Sequence, residues 1–289
     1  MRASRAVRAT EPTAAPLSLV PAVLVACVVC IPVAAPPAAA QEAAAAGGLD
    51  ASPRHHEWAD VPAGEGRTVR TFVAYPEAEG DVPAVVVIHE NRGLTDWVRS
   101  FADELAGAGY LAVAPDLLSG FDAEHPHTGA FESSDAARQA IYELDADRVT
   151  ADLRAVREYA ADLPGSNGTT AVAGFCWGGS QTFRFSTQSQ EVAAAFVFYG
   201  TAPDDPERIA AIEAPVYGFY GQTDQRVNAT ISRTQQAMTA FGKTYDPVIY
   251  DGVGHAFMRR ASAPDAPPEA TKARDEAFER LTDLLAGLE

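Results

Sequence analysis

Residues 169–179, Thr-Thr-Ala-Val-Ala-Gly-Phe-Cys-Trp-Gly-Gly, constrain the fold of this chain more than any other stretch. An apolar, β-prone run enters a turn in which Cys176 has Gly174 and Gly178 two residues to either side, and residues 180–187 can start a helix. A side chain displayed on so sharp a strand-to-helix turn needs neighbours without bulk, and glycine has no Cβ to clash. The helix that follows would aim its first N–H groups at the sulfur, an arrangement expected to favour thiolate over thiol. The motif alone also admits a buried structural cysteine between strand and helix. The rest of the chain decides between the two.

Strand and helix patterns alternate on both sides of this turn. Residues 84–89 form a short continuous apolar run, the mark of a strand buried on both faces, and end in Glu90-Asn91-Arg92-Gly93. A helix is expected from Thr95, with Trp97, Phe101, Leu105 and Ala108 at helical spacing and Gly109 as its stop. Residues 110–114 read as the next strand, 117–134 as a loop, and about 135–147 and 149–163 as two helices. Beyond the turn, strands are expected at 193–199, 215–220 and 247–250, with a helix at about 230–241. A last helix opens at Pro267-Pro268 and carries Ala273, Ala277, Leu281, Leu284 and Leu288 on one side. Ahead of all this, residues 56–61 and 68–75 alternate like an antiparallel pair at a sheet edge. The pattern predicts one α/β domain over residues 55–289, a mostly parallel central sheet with helices on both faces.

The first 40 residues read differently. Arg2, Arg5 and Arg8 precede a nearly continuous apolar run over 17–33, and Ala38-Ala39-Ala40 before Gln41 fits a cleavage site. A signal peptide over 1–40 and an Ala/Gly-rich flexible leader over 41–54 are expected, which would make the protein exported, periplasmic or extracellular. Pro21, Pro32, Pro36 and Pro37 break the run and count against a membrane anchor. Leu24-Val25-Ala26-Cys27 resembles a lipoprotein box, so an anchor at Cys27 is the alternative, although the sequence stays apolar beyond it. Cleavage after Ala40 would leave Cys176 as the one thiol, because Cys27 and Cys30 are the other two cysteines. A net charge of −17 argues against nucleic acid or an anionic membrane as partner, both of which need basic patches. A monomer is expected.

Cys176, Asp224 and His255 each fall just past an expected strand, and open α/β sheets bind ligands beyond the carboxyl ends of their strands. Singly, Asp224 could be a helix cap and His255 a loop histidine. Jointly, nucleophile, acid and histidine stand in the chain order of the α/β-hydrolase fold. His255 would take the thiol proton and return it to the leaving group, while Asp224 would fix the imidazole tautomer. Backbone N–H groups of Trp177 and Asn91 would form the oxyanion hole. No cofactor or metal is called for; His125 and His127 form a His-x-His pair but lack companion ligands and read as a solvated loop.

Together, the elbow Gly174-Phe175-Cys176-Trp177-Gly178-Gly179, the turn His89-Glu90-Asn91-Arg92-Gly93 and Gly254-His255-Ala256-Phe257 resemble the dienelactone hydrolase family, the carboxymethylenebutenolidases, over roughly residues 69–285. The resemblance implies a Cys-His-Asp triad that hydrolyses a cyclic enol-lactone carrying a carboxylate. It places on Glu90 a carboxylate that contacts the resting thiol until substrate displaces it, where a plain turn pairing with Arg92 is the alternative. It places the substrate's carboxylate on Arg259, four residues after His255, and on Arg138, four before the pocket Tyr142 on one helix face; an arginine fork grips a carboxylate bidentately. Two departures stand out: the family's pocket tryptophan falls on Asp145, and the export signal differs from the cytoplasmic pathway enzymes. The net charge would repel an anionic substrate at long range, but screening beyond about 10 Å leaves a local arginine pair in control. The expected protein is an exported cysteine hydrolase of small ester or lactone substrates, favouring those with a carboxylate. A broad esterase or thioesterase with Arg138 and Arg259 idle, and a non-catalytic exported binding protein, are the alternatives.

Overall fold

In the computed structural model, which describes residues 48–288, eight strands form one sheet in the order β1-β2-β4-β3-β5-β6-β7-β8. The strands are β1 (His56–Pro62), β2 (Thr68–Ala74), β3 (Val82–Ile88), β4 (Leu111–Pro115), β5 (Ser166–Phe175), β6 (Ala194–Phe198), β7 (Val216–Gly221) and β8 (Tyr245–Tyr250). β1 and β2 are the antiparallel edge pair the alternation predicts, with Trp58 opposite Phe72, and β2 runs antiparallel to β4. From β4 to β8 every pairing is parallel. This is the α/β-hydrolase fold.

The central strands are apolar throughout because helices cover both faces, and the two-residue period divides each strand between two cores. Val85, Val87, Ala171, Ala173 and Phe196 face one side, against Trp97, Phe101 and Leu105 of α1 (Asp96–Gly107) and Ala273, Ala277 and Leu281 of α8 (Pro268–Ala286). Ala84, Val86, Ile88 and Val172 face the other, against Val149, Leu153, Val156 and Ala160 of α3 (Ala146–Asp162). Further helices are α2 (Ser134–Glu143), α4 (Trp177–Ser186), α5 (Pro206–Ile209), α6 (Gln225–Ala240) and α7 (Phe257–Arg260).

Several expectations are corrected. Helix α6 starts at Gln225 rather than near 230, because Asp224 caps it by accepting from the Val227 N–H at 3.4 Å. The short helices α5 and α7 give no periodic signal and went unread. The leader is not free throughout: Leu49 is buried in the α1-side core, and Ser52, Arg54 and His56 all bond to Asp103 on α1. Burial alone would raise the Asp103 carboxyl, but hydrogen bonds from Arg54, Ser52 and His56 hold it down at about 2. His125 bonds to Asp122 and stacks on Phe131. Among the described residues no group of side chains is arranged to hold a metal, and no helix is long and apolar enough to cross a membrane. The expected signal peptide and cleavage site, and Cys27, lie outside the described residues.

Candidate active site

Strand β5 ends at Phe175 and α4 begins at Trp177, so Cys176 occupies the turn alone, at φ 56° and ψ −111°. A non-glycine residue there costs about 1–3 kcal/mol, and the packing must enforce it. It does so through backbone contact. A Cβ on Gly178 would stand 2.3 Å from the His89 carbonyl oxygen and 2.5 Å from that of Ile88, and one on Gly174 would stand 2.3 Å from the Gly178 carbonyl oxygen. The start of α4 is thereby pressed against the end of β3, which brings the elbow beside the turn carrying Glu90 and Asn91.

Asp224 follows β7 and His255 follows β8, and both reach the elbow. The His255 Nδ1 lies 2.5 Å from Asp224 Oδ2, and its Nε2 lies 3.0 Å from Cys176 Sγ. With the Nδ1–H donating to the carboxylate, Nε2 is left to accept from the thiol. Asp224 serves two ends at once, Oδ1 capping α6 and Oδ2 orienting the imidazole. The helix cap and the carboxylate that orients His255 are one residue.

The expectation of a thiolate at the helix terminus fails. Burial, then the charge of Glu90, pushes the Cys176 thiol up to about 11. The Trp177 N–H, Arg226 and Arg259 pull the other way and do not win. The resting sulfur is therefore an S–H hydrogen-bonded to His255. Nor does Glu90 touch it: Glu90 Oε2 accepts from Arg259 Nε at 2.6 Å, in a pair whose side chains are 7% and 13% exposed. Glu90 is bound neither to the sulfur nor to Arg92. Its second oxygen, Oε1, is buried without a partner.

Arg138 and Tyr142 reach the site by a different route. Tyr142 accepts a hydrogen bond from Asn91 Nδ2 at 3.0 Å, and the Arg138 guanidinium lies 6.0 Å from the Tyr142 ring centre, both side chains exposed. Arg259 thus adjoins Glu90, and Arg138 adjoins Asn91 through Tyr142. Asp145 caps α3 by accepting from the N–H groups of Asp147 and Arg148, which gives an acid at that position a local purpose. Tyr199, at the end of β6, went unread in the sequence because it looks like the last apolar residue of a strand. Its ring stands edge-on to His255 at 5.1 Å, and its hydroxyl is raised well above the usual range first by burial and then by Glu90.

Residues 69–288 match the profile of the dienelactone hydrolase family. A Methylorubrum extorquens protein named "Putative carboxymethylenebutenolidase" is 30% identical over 239 residues, covering 77% of this chain and 78% of that one. The carboxymethylenebutenolidase of Pseudomonas putida is 28% identical over 243 residues, covering 81% and 97%. A Klebsiella pneumoniae structure titled "Putative Dienelactone Hydrolase" superimposes with a TM-score of 0.70 at 24% identity over 81% of this chain and 98% of that one, a likeness of fold. With the family profile spanning most of the chain, and an elbow, acid and histidine converging on one rim of the sheet, this protein belongs to the dienelactone hydrolase family and is a hydrolase of ester or lactone bonds.

Proposed function

We propose that the protein is an exported cysteine hydrolase that cleaves small esters or lactones and favours substrates bearing a carboxylate. The observation that carries the nucleophile assignment is the unbroken Asp224–His255–Cys176 hydrogen-bond chain. In the reaction this supports, His255 Nε2 takes the Sγ proton as the sulfur bonds to the substrate carbonyl carbon. The carbonyl oxygen gains the negative charge between the Trp177 and Asn91 N–H groups. Collapse breaks the bond to the leaving oxygen, which receives the proton from His255, and water, activated by the same imidazole, then releases the acid and restores the thiol.

The carboxylate preference rests on the Arg259–Glu90 pair. A substrate carboxylate arriving at Arg259 replaces one anion by another on the same guanidinium, and moving the Glu90 charge away removes one of the two influences that keep the sulfur protonated. The same pairing also favours the second reading, a broad esterase, since Arg259 is already neutralised. A matched pair decides: p-nitrophenyl hydrogen succinate should exceed p-nitrophenyl acetate in kcat/KM by about tenfold or more, on the order of one charge-assisted contact. Equal values would leave the broad esterase. Export is supported by the basic, apolar and small-residue order of the first 40 residues. Mass analysis of the mature protein should find Gln41 as its first residue; a lipidated Cys27 or an intact Met1 would reject that processing.

A further inference from the structure

We infer that His89 is a positioning residue that aims the oxyanion hole, holding one donor by a hydrogen bond and backing the other by ring stacking. The proposal rests on the triad reading above and adds a role for a residue outside it. His89 is wholly buried at the end of β3. Its Nε2 lies 3.2 Å from the Leu117 backbone nitrogen. A backbone N–H can only donate, so Nε2 is unprotonated and the hydrogen sits on Nδ1. Nδ1 therefore donates to the Glu90 carbonyl oxygen, at 2.7 Å. Burial favours the neutral ring that this arrangement needs.

The Glu90 carbonyl and the Asn91 N–H belong to one planar trans peptide and point in opposite directions. Pinning the oxygen to His89 fixes the direction of the Asn91 hydrogen. The other donor is the N–H of Trp177, whose indole stacks on the His89 ring at 5.5 Å with the planes 13° apart. The far end of the turn is held separately: Thr128 Oγ1 accepts from the Leu94 N–H and donates to the buried Asp116. Without His89 the Glu90–Asn91 peptide would lose the hydrogen bond that fixes its carbonyl, while the turn as a whole stayed attached.

The test separates aiming the hole from activating the sulfur. Iodoacetamide alkylates a cysteine by displacing iodide and creates no oxyanion, whereas ester hydrolysis needs both an activated sulfur and the hole. His89→Phe keeps ring bulk against Trp177 but has neither hydrogen bond. It should lower kcat on p-nitrophenyl acetate by roughly 10–100-fold with KM changed less than about twofold, and should leave the Cys176 alkylation rate within about twofold. His89→Gln, which offers one donor and one acceptor, should recover most of kcat. Where His89→Phe does not fold, His89→Asn takes its place, its shorter amide reaching at most one of the two partners. Unchanged kcat, an equal fall in alkylation, or no recovery with Gln would each overturn the proposal. A parent enzyme that stays fully active after mass analysis shows Cys176 alkylated would instead remove the cysteine reading beneath it.

Discussion

Cys176→Ala should lower kcat/KM on p-nitrophenyl acetate by roughly 10⁴–10⁶-fold, the range spanned when single members of a triad are removed. The size follows from what is lost. With alanine there is no atom to form the acyl-enzyme, and the remaining hole and His255 can only assist direct attack by water. The fold should survive: the side chain is half-buried, forms no disulfide and is small. The φ of 56° disfavours alanine as much as cysteine, so the melting temperature should move little. His255→Ala should cost a similar factor, and the double variant little more, because nucleophile and base act as one unit. Retained hydrolysis in Cys176→Ala, or losses that multiply in the double variant, would end the triad account of the site.

The meeting of Cys176, Asp224 and His255 was legible in the sequence for a physical reason. Each member stands just past a strand whose apolar run is marked locally, and the parallel order of those strands puts their carboxyl ends on one rim. Pattern also revealed the edge hairpin and the two-faced sheet, since both are periodicities of the chain itself. What stayed hidden was set by tertiary contact. Glu90 meets Arg259 across 169 positions of sequence, and Arg259 rides on a four-residue helix with no periodicity to announce it. The charge state of Cys176 was misread because the helix terminus is visible in the motif, whereas the burial and the Glu90 charge that outweigh it are not. Asp103 looks like the polar face of α1 until Ser52, Arg54 and His56 are seen bound to it. His89 reads as the last residue of a buried strand. Only the placement of Leu117 and Trp177 gives its two nitrogens and its ring face separate tasks.

Arg259→Ala should destabilise the protein by about 3–5 kcal/mol, because it strands the Glu90 carboxylate in a buried site where one oxygen already lacks a partner. For a domain of this size that is a fall in Tm on the order of 10 °C. Replacing both partners, as in Glu90→Leu/Arg259→Met, should recover most of it, since a buried ion pair costs more to break than to remove. The sulfur gives an independent reading of the same pair. Glu90 raises the Cys176 thiol and Arg259 lowers it, so the two single variants should move it in opposite directions although both loosen the fold. At a pH well below both the original and the lowered value, lowering the thiol pKa by about one multiplies the thiolate fraction about tenfold. At about pH 8, iodoacetamide should therefore modify Glu90→Gln faster than the parent, by up to about tenfold, and Arg259→Ala more slowly. Burial is the larger influence and remains in both variants, so neither should return the sulfur to the behaviour of a free cysteine. A general loosening of the site would speed alkylation in both. Faster modification of Arg259→Ala would show that the pair acts on the nucleophile through structure and not through charge.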